Sequence, residues 1–222
     1  MDTPFAILYE DNHLLAIDKP AGMLTQKGAT EELSVTEHAK AYVKKRYGKK
    51  GEVFLHALHR LDRCTSGIVL FARTSRALGR LNLSWQQHVK KTYWACVSGS
   101  VNPQRGVLHH YLIHGSHKAF IGTVGDKAAK LSTLYYGTLA SNSKESLLSI
   151  DLKTGRYHQI RAQLAAIGHP ILGDSKYGSR VPCYYLGAIA LHQVRLQLLH
   201  PVTEEALCLT APCPDLWPLF PI

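Results

Sequence analysis

Gly67-Ile-Val-Leu-Phe-Ala-Arg73 is a continuous apolar run bounded by the turn-forming residues Thr65, Ser66, Thr74 and Ser75. Such a run reads as a buried strand. Its backbone donors and acceptors need partner strands, so the chain must build a sheet around it. Partners are readable. Ile7–Tyr9 and Leu14–Ile17 form two short strands joined by a turn at Glu10-Asp11-Asn12, and Lys19-Pro20-Ala21-Gly22 breaks the pattern. Thr92–Ser98, Leu147–Leu152 and Leu191–Leu199 read as further strands.

Helices lie between them. Ser34-Val35-Thr36-Glu37 is a capping box, and the helix it opens sets Val35, Ala39, Tyr42 and Val43 on one face before Gly48 stops it. Thr74 or Ser75 caps a second helix with Leu78, Leu81, Trp85 and Val89 along one face. A third runs from about His158 to Ile167, with a stripe of Ile160, Leu164 and Ile167, and ends at Gly168 and Pro170. Arg105–Lys144 is either a meander of short strands or a loop-bearing insertion, and the tail from Pro212 is irregular. Strands and helices mix without a regular βαβ alternation. This predicts an α+β fold around a largely antiparallel sheet, as one domain or two closely packed subdomains.

The charge is strongly positive. Lys plus Arg number 26 against 16 Asp plus Glu, a formal +10. A field of this sign attracts polyanions, through release of the counterions condensed on them, or serves solubility alone. The basic run Lys44–Lys50 reads equally as a solvated helix end or as a nucleic-acid contact. The five cysteines, Cys64, Cys96, Cys183, Cys208 and Cys213, include no C-x-x-C pair, which points to free thiols in a reducing compartment. No leader peptide or bilayer-length apolar stretch is visible, so a cytoplasmic location without a membrane partner is expected.

Three segments hold the candidate chemistry. In His59-Arg-Leu-Asp-Arg-Cys-Thr-Ser-Gly67, Asp62 is flanked by Arg60 and Arg63 at the mouth of the buried strand. A carboxylate kept charged there acts as nucleophile or electrostatic stabiliser, while on this segment alone a turn-capping aspartate is the simpler reading. In Lys153-Thr-Gly-Arg-Tyr-His-Gln-Ile-Arg161, the loop before the helix suits phosphate. Arg161, about 100° around the helix from Ile160, reads singly as a surface ion pair, with Asp62 a natural partner. In Lys91-Thr-Tyr-Trp-Ala95, Tyr93 and Trp94 face opposite ways, and core packing is the stronger reading for Trp94. His109, His110, His114 and His117 cluster without a carboxylate and sit among strand-like residues, so no metal site is expected. No Gly-rich nucleotide-binding pattern occurs.

Taken in order, six segments resemble the RluA-type pseudouridine synthases. They are Ile7-Leu-Tyr-Glu-Asp-Asn-His-Leu-Leu-Ala-Ile-Asp-Lys-Pro-Ala-Gly22, His59–Gly67, Lys91–Tyr93, Lys153–Arg161, Gly168-His-Pro-Ile-Leu-Gly-Asp-Ser-Lys-Tyr-Gly178 and Leu191-His-Gln193. The resemblance implies two subdomains sharing a mostly antiparallel central sheet, with an active-site cleft. It implies a single catalytic domain over residues 1–222, without the S4 RNA-binding domain of some relatives. It implies Asp62 as the nucleophile, Tyr93 at the target base and Arg161 paired with Asp62. His59, Arg60, Lys153 and Arg156 would bind substrate, Arg60 holding the flipped nucleotide open. The implied substrate is ribosomal or transfer RNA, not DNA. No cofactor or metal is implied, and a monomer is the default. Cys64 stands where the family is often acidic, and the His-rich stretch from Arg105 to Lys130 departs from the pattern, with Gly125-Asp126-Lys127-Ala128 as the lead-in to a strand. A non-catalytic RNA-binding protein of the same fold is the alternative. A nucleoside hydrolase is a further rival; it needs a second carboxylate, for which Asp174 is the nearest candidate although Gly173-Asp174 looks like a turn.

Overall fold

The computed structural model describes residues 3–28, 32–183 and 187–214. The strands are β1 (Ala6–Glu10), β2 (Leu14–Lys19), β3 (His56–Ala57), β4 (Ser66–Ala72), β5 (Lys90–Ser98), β6 (Arg105–His114), β7 (Ala119–Gly122), β8 (Lys130–Ser141), β9 (Glu145–Leu152), β10 (Leu191–Leu199) and β11 (Ala206–Thr210). The helices are α1 (Val35–Arg46), α2 (Ser75–His88) and α3 (Gln159–Ala166), with a short 3-10 turn at Ser175–Tyr177. The fold is α+β. The chain divides into two units, one comprising residues 1–89 and 193–212, the other the remainder.

In the first unit β2 lies between β1 and β4, antiparallel to both, with Leu15 opposite Phe71 and Ile17 opposite Val69. β10 follows β4 and carries β11 antiparallel, with Leu196 opposite Leu209. All seven residues of β4 are buried, as its unbroken apolar run predicts. Side chains alternate along a strand, so Ile68 and Leu70 share a face with Leu14 and Ala16. That face packs with Leu81, Val89, Leu196, Leu198 and Leu209 into one core, against which Trp85 of α2 rests. Val69, Phe71, Leu15 and Ile17, on the other face, are also fully buried. The capping box forms: Ser34 N–H donates to Glu37 at 2.8 Å and Glu37 N–H to the Ser34 hydroxyl at 3.4 Å. α1 then buries Val35, Ala39, Tyr42 and Val43, as its spacing requires. Thr74 caps α2 through Ala77 N–H.

In the second unit the strand order is β5-β9-β8-β6-β7, antiparallel at every pairing. Arg105–Lys144 is therefore a meander, and His110 and His114 lie on a strand. Gly125–Ala128 is turn leading into β8, as expected.

Three expectations need correction. α3 has no exposed flank over its first six residues: Gln159 to Leu164 are all buried, whereas Ile167 is half-buried. The helix is enclosed because β6, β7 and the 3-10 turn pack against it. Arg161, 4% exposed, is not a surface residue. Tyr93 is buried and Trp94 half-buried, the reverse of the expected emphasis, because Tyr93 lies on the inner face of β5. β3, at two residues, is too short for its sequence to reveal it, and β11 is a five-residue strand whose pairing with β10 its sequence does not reveal. In the tail, residues 211–214 carry no regular element and residues 215–222 lie outside the described residues.

Truncating Leu70 at this core should be costly. Leu70→Ala is expected to lose about 2–5 kcal/mol in urea unfolding, the transfer term plus a cavity. Leu83→Ala on α2, where Leu83 is 86% exposed, should stay within about 0.5 kcal/mol. Equal losses would show that the core is placed wrongly.

Candidate active site

Asp62 sits half-buried in the loop between β3 and β4. The backbone around it is held from both sides. Leu61 is gripped by Thr25, whose hydroxyl donates to Leu61 C=O at 2.9 Å and accepts Leu61 N–H at 3.1 Å. Arg63 C=O accepts Gly22 N–H at 2.7 Å, and Arg63 Nε–H donates to Gly22 C=O at 2.8 Å. Thr65 N–H closes a turn on Asp62 C=O at 3.0 Å. Gly67 then enters β4 at φ +115°, and a Cβ there would stand 2.5 Å from the backbone N and O of Gln193. Only glycine fits both that conformation and that approach.

Beneath this loop lies Lys19, the last residue of β2, with no exposed surface. Its ammonium donates to Pro20 C=O and Met23 C=O, both at 2.8 Å, and to Arg63 C=O at 3.3 Å. Burial pulls its pKa down to about 8, opposed by its electrostatic interactions with Cys64, Asp62 and Asp18. Burial raises the neighbouring Asp18 to about 6, against the pull of Lys19. In the sequence Lys19 is marked only as a lysine that ends an apolar strand immediately before proline.

Arg60 and Arg63 are exposed, and Arg63 pairs with Glu32 at 3.0 Å. The His59 ring is committed within its own unit: Nε2 accepts Leu70 N–H at 3.2 Å, and the ring stacks on Trp85 at 5.2 Å. That bond leaves Nδ1 as the protonated nitrogen of the neutral ring.

The other expected site residues belong to the second unit. Tyr93 lies on β5 opposite Ile150, and Lys91, two residues before it, is buried, which lowers its pKa. Lys153 and Arg156 are exposed on the loop that joins β9 to α3. One buried carboxamide shapes that loop. Gln159 Oε1 accepts from the Thr154 hydroxyl at 2.8 Å and Arg156 N–H at 3.1 Å, while its amide donates to Thr133 C=O at 3.1 Å. Arg161 forms a fork with Asp174, Nε–Oδ2 at 2.7 Å and Nη2–Oδ1 at 2.9 Å, and lies over the Tyr177 ring. Asp174 is thus more than a turn residue. It is a buried partner of Arg161, placed just after Gly173 at φ +83°. Among the described residues no three His, Cys, Asp or Glu side chains converge as metal ligands.

The Asp18 shift has a testable sign. A folded-state pKa raised to about 6 means that the native protein binds the extra proton between the unfolded value and 6, so ionisation at higher pH destabilises it. Asp18→Asn should therefore be more stable than wild type at pH 7.5, and the difference should vanish near pH 3.5. Urea unfolding at both values reads this; a pH-independent difference would contradict it.

The chain matches the model of the RNA pseudouridylate synthase family over residues 13–166. It is 34% identical over 212 residues to an uncharacterised RNA pseudouridine synthase of Bacillus subtilis, covering 94% of this chain and 68% of the relative. It is 34% identical to tRNA pseudouridine synthase C of Yersinia pestis, covering 95% and 87% of the two chains. Identity is also 34% to ribosomal large subunit pseudouridine synthase D of Nitrosomonas europaea, covering 96% and 63%. Among solved structures, human RNA pseudouridylate synthase domain containing 4 superposes with TM-score 0.78 at 26% identity, covering 95% of this chain and 89% of that one. The matched span contains the clamped Asp62 loop and the Lys153–Arg161 segment, and the chain belongs to the RNA pseudouridylate synthase family.

Proposed function

We propose that this chain isomerises uridine to pseudouridine within RNA, with Asp62 as the catalytic carboxylate. The observation that carries the reading is the family match across residues 13–166, which takes in Asp62 together with the loop that holds it. The loop supports the role: its backbone is fixed by Lys19, Thr25 and Gly22, while the carboxylate is half-buried on a short side chain. A nucleophile held in this way loses little further freedom on reaching the transition state.

A target uridine leaves its stack first, at a cost of a few kcal/mol that is smaller in a loop than in a duplex. Phosphate contacts from exposed cations such as Lys153 and Arg156 help to offset that cost. Asp62 acts at the sugar as the C1′–N1 bond breaks, whether by adding to C1′ or by deprotonating the sugar. The detached uracil turns, C5 bonds to C1′, and the C5 proton leaves to water. Tyr93, at the base, and Arg161, in the catalytic set, keep the parts that the family resemblance gives them, as do His59 and Arg60 in binding. The named relatives act on transfer or ribosomal RNA, and either class is a candidate substrate. A monomer working in the cytoplasm completes the reading; no helix among the described residues is long and apolar enough to cross a membrane.

The hydrolase alternative needs an acid, and both oxygens of Asp174 are engaged by Arg161, which argues against that part for it.

The test is tritium release from RNA labelled at uridine C5, on transfer and ribosomal transcripts. Wild type should release tritium and Asp62→Asn should lose more than about 10³-fold in rate, with RNA binding retained. Full activity in Asp62→Asn would remove the nucleophile. Free uracil as product would establish the hydrolase, and binding without turnover by wild type would establish the non-catalytic binder.

A further inference from the structure

Within the second unit, the β6–β7 hairpin, the start of β8 and the Gly155–Tyr157 loop wall a pocket of about 170 Å³. Sites that enclose a cofactor or a drug-sized ligand run to about 300–1,000 Å³. This one has room for a single planar ring or a phosphate. Neither Tyr93 nor Arg161 lines it.

The wall has one sign of charge. Lys130 and Arg156, both exposed, contribute it, and no carboxylate is among the lining residues. The nearby acid, Asp126, caps its own turn by accepting Ala128 N–H at 2.9 Å. At Gly155 no atom lies within 4 Å of where a Cβ would stand, so the backbone is open to close approach.

The wall is also aromatic. His114 stacks on Tyr157 with ring centres 4.3 Å apart and planes inclined by 28°. Tyr157 stacks in turn on His158 at 3.9 Å and 21°. His158 is buried and meets Tyr177 edge-on, its Nδ1 3.1 Å from the Tyr177 hydroxyl. Tyr157 also packs on the small apolar cluster of Leu112, Ala119 and Ala162. The column is thus anchored at its buried end, while His114 at the other end is exposed. Every nucleobase offers a π-face to such a column, and phosphate follows the base at the distance where flanking cations are useful. A paired base is covered on both faces by its neighbours, so only an unpaired one can join the stack.

We propose that this pocket is a subsite for one unpaired nucleotide of the RNA, its base continuing the His114–Tyr157–His158 column and its phosphate held by Lys130 and Arg156. The proposal rests on the RNA-modifying reading above and adds a strand-selecting contact to it. The pocket favours substrates whose uridine sits in a loop with unpaired neighbours. It also gives a function to part of the histidine cluster, which the catalytic reading leaves unused.

The experiment is equilibrium binding of two fluorescein-labelled RNAs, one unstructured and one a perfect duplex of the same length, over a salt series. Wild type is compared with His114→Ala, His114→Trp and Lys130→Ala, with melting curves for each protein. Both residues are exposed, so folding should survive. His114→Ala should weaken binding of the unstructured RNA by about 5-fold or more, leave the duplex unchanged and be rescued by His114→Trp. Lys130→Ala should lower the slope of log K against log salt by about 0.7 on the unstructured RNA, one phosphate contact fewer. If wild type isomerises RNA but neither variant changes affinity, slope or strand preference, the subsite is wrong and the synthase reading stands. Wild type that neither binds nor modifies RNA would overturn both. An acidic peptide that competes at the pocket while RNA binding ignores His114 would assign it to a protein partner instead.

Discussion

The position of the Asp62 loop depends on an ammonium that no water reaches. Lys19 ends β2 with its side chain wholly covered, and its three protons are directed at the carbonyls of Pro20, Met23 and Arg63. Two of those carbonyls belong to the turn that follows β2 and the third to the residue after Asp62. One cation therefore ties the Lys19–Thr25 turn to the Asp62 loop. An ammonium removed from water is strongly penalised unless its donors are satisfied, and here the penalty is visible in a pKa lowered to about 8. Its interactions with Cys64, Asp62 and Asp18 work in the other direction. The loop and the amine stabilise each other: without the carbonyls the charge could not be buried, and without the charge the carbonyls of Pro20, Met23 and Arg63 would each lose a donor.

The second unit reaches a similar result with different groups. The Lys153–Arg156 loop is gathered by the carboxamide of Gln159, a neutral group whose acceptor and donor sides are both used. The first turns of α3 are buried on every side, which a helix tolerates only if its polar residues find partners inside. Gln163 donates to Leu108 C=O and Ser132 C=O, and Arg161 forks onto Asp174. A guanidinium held by two parallel bonds is fixed in plane as well as in place. Lys153 and Arg156, expected to touch substrate, thus stand on backbone that is already anchored.

What could be read in advance follows from the range of the forces involved. The α1 capping box, the buried run of β4, the face of α2 and the span of β10 are local patterns, and all appear at the expected residues. Six ordered motifs were enough to identify the family. Failures occurred where a distant element decides the outcome. Nothing near Arg161 in sequence says that Asp174, thirteen residues on, will neutralise it within the interior. Alternation separates Tyr93 from Trp94 but does not say which face is covered. Lys19 looks like the polar end of a strand until the Asp62 loop closes over it. β11 alternates weakly and is recognised only by its ladder to β10.

The distribution of charge completes the physical account. Beyond the excess of cations, acids and bases are used differently. Several of the acids serve the fold. Glu10 accepts from the hydroxyls of Tyr42 and Tyr47 and pairs with Arg46 and Arg73. Asp11 receives His13 N–H and Leu14 N–H at the first hairpin. Glu37 caps α1, Asp151 takes the Thr92 hydroxyl, and Asp174 holds Arg161. Many of the cations stay at the surface: Lys44, Lys45, Lys49 and Lys50 around the end of α1, and Lys127, Lys130, Lys153 and Arg156 near the β8 and α3 entrances. A carboxylate already bonded to a neighbouring donor repels an approaching phosphate less than a bare one, whereas a solvated ammonium keeps its full attraction within a Debye length of about 8–10 Å. The division also follows from chemistry, because a short carboxylate can satisfy backbone N–H groups at caps and turns, and a lysine has no acceptor with which to do so.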